Sequence, residues 1–156
     1  MTARDQIARR HPSPASSAAR GLVPILTVLL ATCDWLWIDT YWRSERYVLL
    51  AIDSREQMSL SFDLQDGTSL GLVGPTVFSI GADETYIVLK QHPLPDTLGA
   101  PANRAITNYF VVTRSRSSQF VNRAKGVRGP MTEVEFAELK TAVQLPAFTK
   151  TFEDLE

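Results

Sequence analysis

Few side chains in this sequence are of the types that carry covalent chemistry. The chain has one cysteine, Cys33, and two histidines, of which only His92 lies beyond the first twenty residues. Serine catalysis requires a nucleophile beside such a base, and no strained Gly-x-Ser-x-Gly turn occurs. Metal sites require clustered ligands, and Asp63 and Asp66 beside one turn are too few for calcium. The residues therefore predict a protein without catalysis, cofactor or metal, and a small enzyme that uses His92 is the alternative.

Two segments are candidates for non-covalent binding. Lys90 and His92 close a predicted strand, where they could donate hydrogen bonds to an anionic ligand or simply end the strand with polar groups. No acidic residue lies between Asp96 and Glu133, and that stretch carries the cations Arg104, Arg114, Arg116, Arg123, Lys125 and Arg128. Such a stretch is typical of a surface for an anionic partner, and equally of a solvated edge that balances nearby acids. The predicted anion-binding residues are Lys90, His92, Arg114, Arg116, Arg123 and Lys125.

The first 32 residues differ in composition from the rest of the chain. Residues 1–20 carry four arginines against one acid, together with prolines and serines, which predicts a disordered segment. Residues 21–32 contain no charge, and a positive segment before a short apolar one is typical of a secretory signal. As a helix, residues 21–32 would rise about 18 Å, too short for a hydrocarbon core of about 30 Å. We therefore expect residues 1–32 to be a disordered n-region plus a signal peptide.

Cys33 stands directly after this apolar segment. The run Leu30-Ala31-Thr32-Cys33 resembles the lipobox of bacterial lipoproteins, in which a leucine, two small residues and a cysteine are read by the lipoprotein signal peptidase. The resemblance implies cleavage before Cys33, a diacylglyceryl thioether on its sulfur and an acylated new N-terminus. Two or three acyl chains anchor a protein firmly, whereas one chain is marginal. The alternative is that Cys33 is a buried free thiol at the start of the fold.

Residues 33–46 contain all three tryptophans and predict a Trp-rich tether. Beside a lipidated cysteine, indole rings are favoured at the level of the lipid headgroups, and this position or packing on the domain is open for Trp35 and Trp37, whereas Trp42 is expected to pack on the domain. Cleavage before Cys33 would remove four of the 16 basic and one of the 17 acidic residues, which leaves a net charge of −4. Such a chain is not expected to bind nucleic acid. The predicted location is the bacterial cell envelope, lipid-anchored to the inner or outer membrane and facing the periplasm.

Residues 47–156 predict a single α+β domain. Residues 58–64 alternate apolar and polar side chains, and further strand patterns at 47–53, 70–73, 76–80, 85–91 and 106–113 follow at short spacing. The spacing predicts an antiparallel meander of five to six strands. Thr132 followed by Glu135 is a capping box, which predicts one C-terminal helix from about 133 to about 143. Its stripe of Val134, Phe136, Leu139 and Val143 is expected to pack on the sheet.

From Cys33 to Leu155 the sequence resembles a family of small, uncharacterised bacterial lipoproteins that share a domain of unknown function. The resemblance is carried by Cys33, by residues 47–53, 58–61, 71–78, 86–93 and 107–110, and by Gly129-Pro130 before the helix. It implies a membrane-tethered α+β domain. We predict a membrane-anchored, non-catalytic binding domain whose partners are membrane lipid, through acylated Cys33, and a protein or anionic envelope component. An immunity-type protein that neutralises a secreted effector is the alternative.

Overall fold

Two antiparallel sheets form most of the structure. A computed structural model describes residues 37–97, 99–115 and 126–156. In the first sheet, β1 (Ile38–Ser44), β2 (Tyr47–Ile52), β3 (Ser59–Asp63) and β4 (Ser69–Val73) are hydrogen-bonded in chain order. The second sheet contains β5 (Val77–Ala82), β6 (Tyr86–Gln91), β7 (Asn108–Thr113), β8 (Val127–Met131) and β9 (Lys150–Thr151), in the spatial order β8-β7-β6-β5-β9. One 3₁₀ turn, Arg55–Gln57, precedes β3, and helix α1 (Glu133–Ala142) follows β8.

The two sheets pack against each other through a shared apolar core. Alternate residues of the strands point into it, as the period of two predicts. The largest buried side chains of this core include Tyr47, Leu49, Leu60 and Phe62 from the first sheet and Phe78, Ile80, Ile87 and Leu89 from the second. The rings of Tyr47 and Phe62 meet edge to face, with their centroids 5.0 Å apart.

Helix α1 covers the other face of the second sheet. Phe136 is its buried residue, and the Phe136 ring stacks on Tyr109 of β7 with a centroid distance of 4.9 Å. Val88 and Val111 of the same sheet face join this second core. The layers are therefore sheet, sheet and helix. The prediction that the apolar stripe of α1 packs on the sheet is wrong for Val134, which is exposed. Leu139 and Val143 are only partly buried.

The α+β class is confirmed, but the expected single meander of five to six strands is wrong. The described residues contain nine strands in two sheets. The chain passes from the first sheet to the second at Gly74-Pro75, where proline has no N–H with which to extend the first ladder. Strand β1 occupies part of the segment predicted as a tether, so residues 38–44 belong to the folded domain. The predicted signal segment, residues 1–32, lies outside the described residues.

The antiparallel registers give the sheets two distinct ends. The turn end carries the chain reversals at residues 45–46, 64–68 and 83–85, and there the Ser115 N–H donates to the Tyr47 hydroxyl across the sheets at 2.8 Å. The loop end carries Trp37, the 3₁₀ turn and residues 92–107, and there the Val77 N–H donates to the Met58 carbonyl at 2.8 Å. The chain reaches β1 at the loop end.

The capping box of α1 is present and gives a pH-dependent contribution to stability. The Glu135 carboxylate accepts hydrogen bonds from the Thr132 backbone N–H at 2.7 Å and from its hydroxyl at 2.8 Å. These bonds, the backbone one first, lower the pKa of Glu135. Because the folded pKa is lowered, the stabilisation is complete above the ordinary glutamate pKa of about 4.3 and is lost as the pH falls through the folded value.

We therefore expect Glu135→Gln to reduce the free energy of unfolding at neutral pH and to lose that effect in acid. Urea unfolding of both proteins at pH 7 and near pH 3 measures the difference. Other carboxylates titrate in both proteins, so their contributions cancel in the comparison. A difference that stays constant between the two pH values contradicts the prediction.

Candidate functional site

The structure locates three of the predicted site residues. Lys90, His92 and Arg114 lie in the described part of the chain. The other predicted residues, Cys33, Arg116, Arg123 and Lys125, lie outside the described residues. The proposed lipid attachment and half of the proposed anion-binding set therefore stay predictions.

His92 is buried in the loop end rather than presented to solvent. Its side chain is 3% exposed, and the imidazole stacks on Phe78 with a centroid distance of 4.2 Å. Nδ1 lies 2.8 Å from the Ile106 carbonyl oxygen, and because a carbonyl can only accept, Nδ1 is the donor of this hydrogen bond. Nε2 is buried and has no hydrogen-bond partner among the described residues. A substrate could reach Nε2 only if residues of the loop end moved aside.

Lys90 belongs to the face of the second sheet that carries the helix. Its ammonium lies 5.1 Å from the Phe148 ring centroid and 5.8 Å from that of Tyr109. A cation at these distances is attracted by the ring quadrupole. His92 stacks instead on a ring of the core between the sheets. The two side chains that were predicted together are therefore held in different environments.

Arg114 lies at the turn end and joins two hairpins. Its guanidinium donates to the Asp83 carbonyl at 2.6 Å and lies 3.2 Å from a Glu45 carboxylate oxygen. It also lies over the Tyr47 ring, 5.6 Å from the centroid. Lys90 pairs with Tyr109 in the ladder whereas Tyr86 pairs with Thr113, so strand rise separates Lys90 from Arg114 by about 13 Å or more. Lys90 and Arg114 therefore lie toward opposite ends of the second sheet.

A cleft of about 600 Å³ opens beside Arg114 at the turn end. It is lined by Trp42, Arg43, Ser44, Glu45, Ala82, Asp83, Glu84, Arg114, Ser115 and Thr149. The β1–β2 and β5–β6 hairpins supply most of these residues, and Arg114 contacts both hairpins through Glu45 and Asp83. Asp83 orders its own turn, since its carboxylate accepts from the Thr85 and Tyr86 N–H groups, both at 2.7 Å.

The described lining of the cleft carries both signs of charge. Its cations are Arg43 and Arg114, and its carboxylates are Glu45, Asp83 and Glu84. Arg43 is paired with Asp63 at 3.2 Å. The pKa of Asp63 is lowered mainly by the hydrogen bond from the Gln65 N–H and, to a smaller extent, by the hydrogen bond from Arg43. Within the described residues the exposed Glu84 carboxylate has no ion-pair or hydrogen-bond partner. The cleft therefore offers a free carboxylate, two paired guanidinium groups and the partly buried Trp42 to a partner of mixed charge.

Sequence reasoning identified Arg114 but missed the residues that surround it. Glu45 and Arg114 are far apart in the sequence, and only the pairing of the hairpins joins them. Asp83 and Glu84 carried a turn signal, which gives no indication of a cleft. Trp42 lies in the segment predicted as a tether, was expected to pack on the domain, and lines the cleft from β1.

A second hollow of about 610 Å³ lies at the loop end, between the 3₁₀ turn and residues 94–102. Its described lining includes two carboxylates, Glu56 and Asp96, beside Leu94 and two prolines. Among the described residues no group of three or more histidine, cysteine or carboxylate side chains is placed to hold a metal ion. In the same part of the chain, no helix has the length and apolarity needed to cross a membrane.

Comparison with known proteins gives one result. A family model described as "Protein of unknown function (DUF3997)" matches residues 44–155. The match covers β2 to the C-terminal segment, and so includes the second sheet, the helix, three of the four strands of the first sheet, and the cleft lining apart from Trp42 and Arg43. No curated protein and no solved structure matches the chain.

Proposed function

The chain belongs to the DUF3997 family of proteins of unknown function, and we propose that this member is a lipid-anchored, non-catalytic binding domain of the bacterial cell envelope. The acyl chains would be attached at Cys33. The binding surface would be the turn-end cleft, and its partner a protein segment that carries both charges and an apolar side chain.

The N-terminal sequence supports the anchor. An arginine-rich segment, a short uncharged segment and Leu30-Ala31-Thr32-Cys33 follow one another in the order that export and lipidation require. The first strand starts at Ile38, five residues after Cys33. The folded domain would therefore follow the anchor with almost no spacer.

The position of the cleft is the observation that carries the binding proposal. The chain reaches β1 at the loop end, whereas the cleft lies at the turn end, about 20 Å away along strands of six residues. An anchor attached near the loop end would leave the turn end directed away from the lipid. Charged and aromatic groups on such an exposed cleft are typical of a protein-binding surface.

The anchor is tested by metabolic labelling with a palmitate analogue. We expect the wild-type chain to take up the label and Cys33→Ala to take up none, because the thiol is the attachment atom. Both proteins should be expressed in full length and compared at equal abundance. Equal labelling of the two proteins contradicts the anchor.

The cleft is tested by crosslinking from single positions in living cells. A photoreactive residue in place of Glu84 should form adducts with a partner, whereas the same residue at Ser69, exposed at the turn end outside the cleft, should not. Arg43→Glu should reduce the Glu84 adduct about tenfold, since reversing one interfacial charge costs about 1.5 kcal/mol or more. Two results contradict the assignment of the cleft. One is an equal adduct yield at Glu84 and Ser69, and the other is a Glu84 adduct yield that Arg43→Glu does not change.

A further inference from the structure

Large apolar side chains are exposed together at the loop end. Trp37, Ile38, Ile52, Leu94 and Ile106 are each at least 40% exposed, and Trp37 reaches 69%. We call these five residues the loop-end apolar face. Among the described residues, one other large apolar side chain, Val134, is comparably exposed.

Both sheets contribute to this face. Ile38 is the register partner of Ile52 at the ends of β1 and β2. Leu94 and Ile106 belong to the segment between β6 and β7, and that segment is tied to the second sheet because Thr76 and His92 exchange backbone hydrogen bonds at 3.0 and 3.2 Å. The His92 ring further fixes the segment through the Ile106 carbonyl. The face therefore stands on rigid elements.

The charges around the face are acidic. Asp39, Asp53, Glu56 and Asp96 are exposed at this end. Its two described cations are already occupied: Arg55 pairs with Asp154 at 3.0 Å, and Arg104 donates to the carbonyls of Asp154 and Glu156 at 3.0 and 3.3 Å. A surface of this composition favours contact with another apolar surface, and its carboxylates are repelled by an anionic surface.

We propose that the loop-end apolar face rests on the lipid surface that holds acylated Cys33, an inference that depends on the lipid anchor proposed above. Four residue steps separate Cys33 from Trp37, so the Trp37 Cα lies at most about 14 Å from that of Cys33. Tryptophan and isoleucine side chains have a lower free energy at the headgroup boundary than in water, and the indole N–H can stay hydrated there. The neighbouring carboxylates restrict the contact to zwitterionic lipid.

The test uses the full lipidated protein, purified from membranes and reconstituted in phosphatidylcholine vesicles with brominated acyl chains. Trp35→Phe with Trp42→Phe leaves Trp37 as the single emitter. Bromine quenches an indole at the headgroup boundary, so emission should fall about twofold relative to unbrominated vesicles. The control removes all three tryptophans and adds Ser69→Trp at the turn end, where emission should not change.

Two further variants sharpen the result. Ile38→Ser with Ile52→Ser alters exposed positions only and should reduce quenching of Trp37 while circular dichroism stays unchanged. Adding phosphatidylglycerol should also reduce it, because the face is acidic. Quenching of Trp37 no greater than in the Ser69→Trp control overturns the proposal, and so does self-association that shields Trp37 from bromine. Missing palmitate label overturns the anchor instead, so the two failures can be told apart.

Discussion

Replacing Gly81 with alanine is expected to destabilise the domain by about 3 kcal/mol, the upper range for overpacking a tight contact. A Cβ on Gly81 would lie 1.9 Å from the Ala147 carbonyl oxygen, 2.8 Å from its carbon and 3.0 Å from the Phe148 Cα. All three atoms are backbone, so no side-chain rotation can relieve the overlap. The segment after the helix must move away from β5.

The displaced segment would also lose its hydrogen bonds to β5. The Thr149 N–H donates to the Ile80 carbonyl at 3.0 Å, and the Phe152 N–H donates to the Phe78 carbonyl at 2.8 Å. Against a total stability of about 5–15 kcal/mol, the loss is large. Urea unfolding followed by circular dichroism measures it.

Gly71 supplies the matched control for this prediction. It also lies in a strand, but a Cβ there would have no neighbour within 4 Å. Gly71→Ala should therefore change the free energy of unfolding by no more than about 0.5 kcal/mol. Equal destabilisation by both substitutions would mean that general strand effects, and not the contact with Ala147, set the cost.

Phe62→Ala is expected to cost about 4 kcal/mol, because it removes a fully buried ring from the core between the sheets. The ring is held by the edge contact with Tyr47 and by the Arg46 guanidinium, which lies 4.5 Å from the ring centroid. Truncation leaves a cavity that the flanking strands cannot close, since both are fixed by ladder hydrogen bonds.

Phe62→Leu separates the cavity from the loss of the aromatic contacts. Leucine refills most of the volume, so we expect a cost of about 1.5 kcal/mol. Thermal and urea unfolding of the three proteins gives the order wild type, Phe62→Leu, Phe62→Ala. A cost for Phe62→Ala below that for Phe62→Leu would contradict a tightly packed core at this position.

The strands that sequence patterns located are those with one buried face and strict alternation. Strand β3 is the clearest of them, and the capping box places the start of α1 equally well, because both signals are local. Strand β1 was not predicted, because it is an edge strand with an irregular register between Thr40 and Trp42, which breaks the alternation of side chains. Strand β8 was not predicted, because Gly129 and Pro130 indicate a turn. An edge strand such as β8 nevertheless tolerates proline.

The candidate site was less predictable because it depends on contacts between distant segments. The run of cations from Arg104 to Arg128 suggested one patch, but β7 carries the chain from one end of the sheets to the other. Arg104 therefore binds carbonyls of the C-terminal segment at the loop end, whereas Arg114 pairs with Glu45 at the turn end. A cluster in sequence becomes a surface patch only when the intervening chain does not cross the fold.

The C-terminal segment is held close to the start of the sheets. Arg55 bridges from the 3₁₀ turn to Asp154, and the Tyr41 ring of β1 meets Phe152 with a centroid distance of 5.9 Å. A short linker could therefore join residue 156 to residue 37, and the backbone could be opened in the reversal at 65–67 without removing a strand pair. The domain is thus suited to circular permutation, and a reporter fused behind Glu156 would leave the turn-end cleft uncovered.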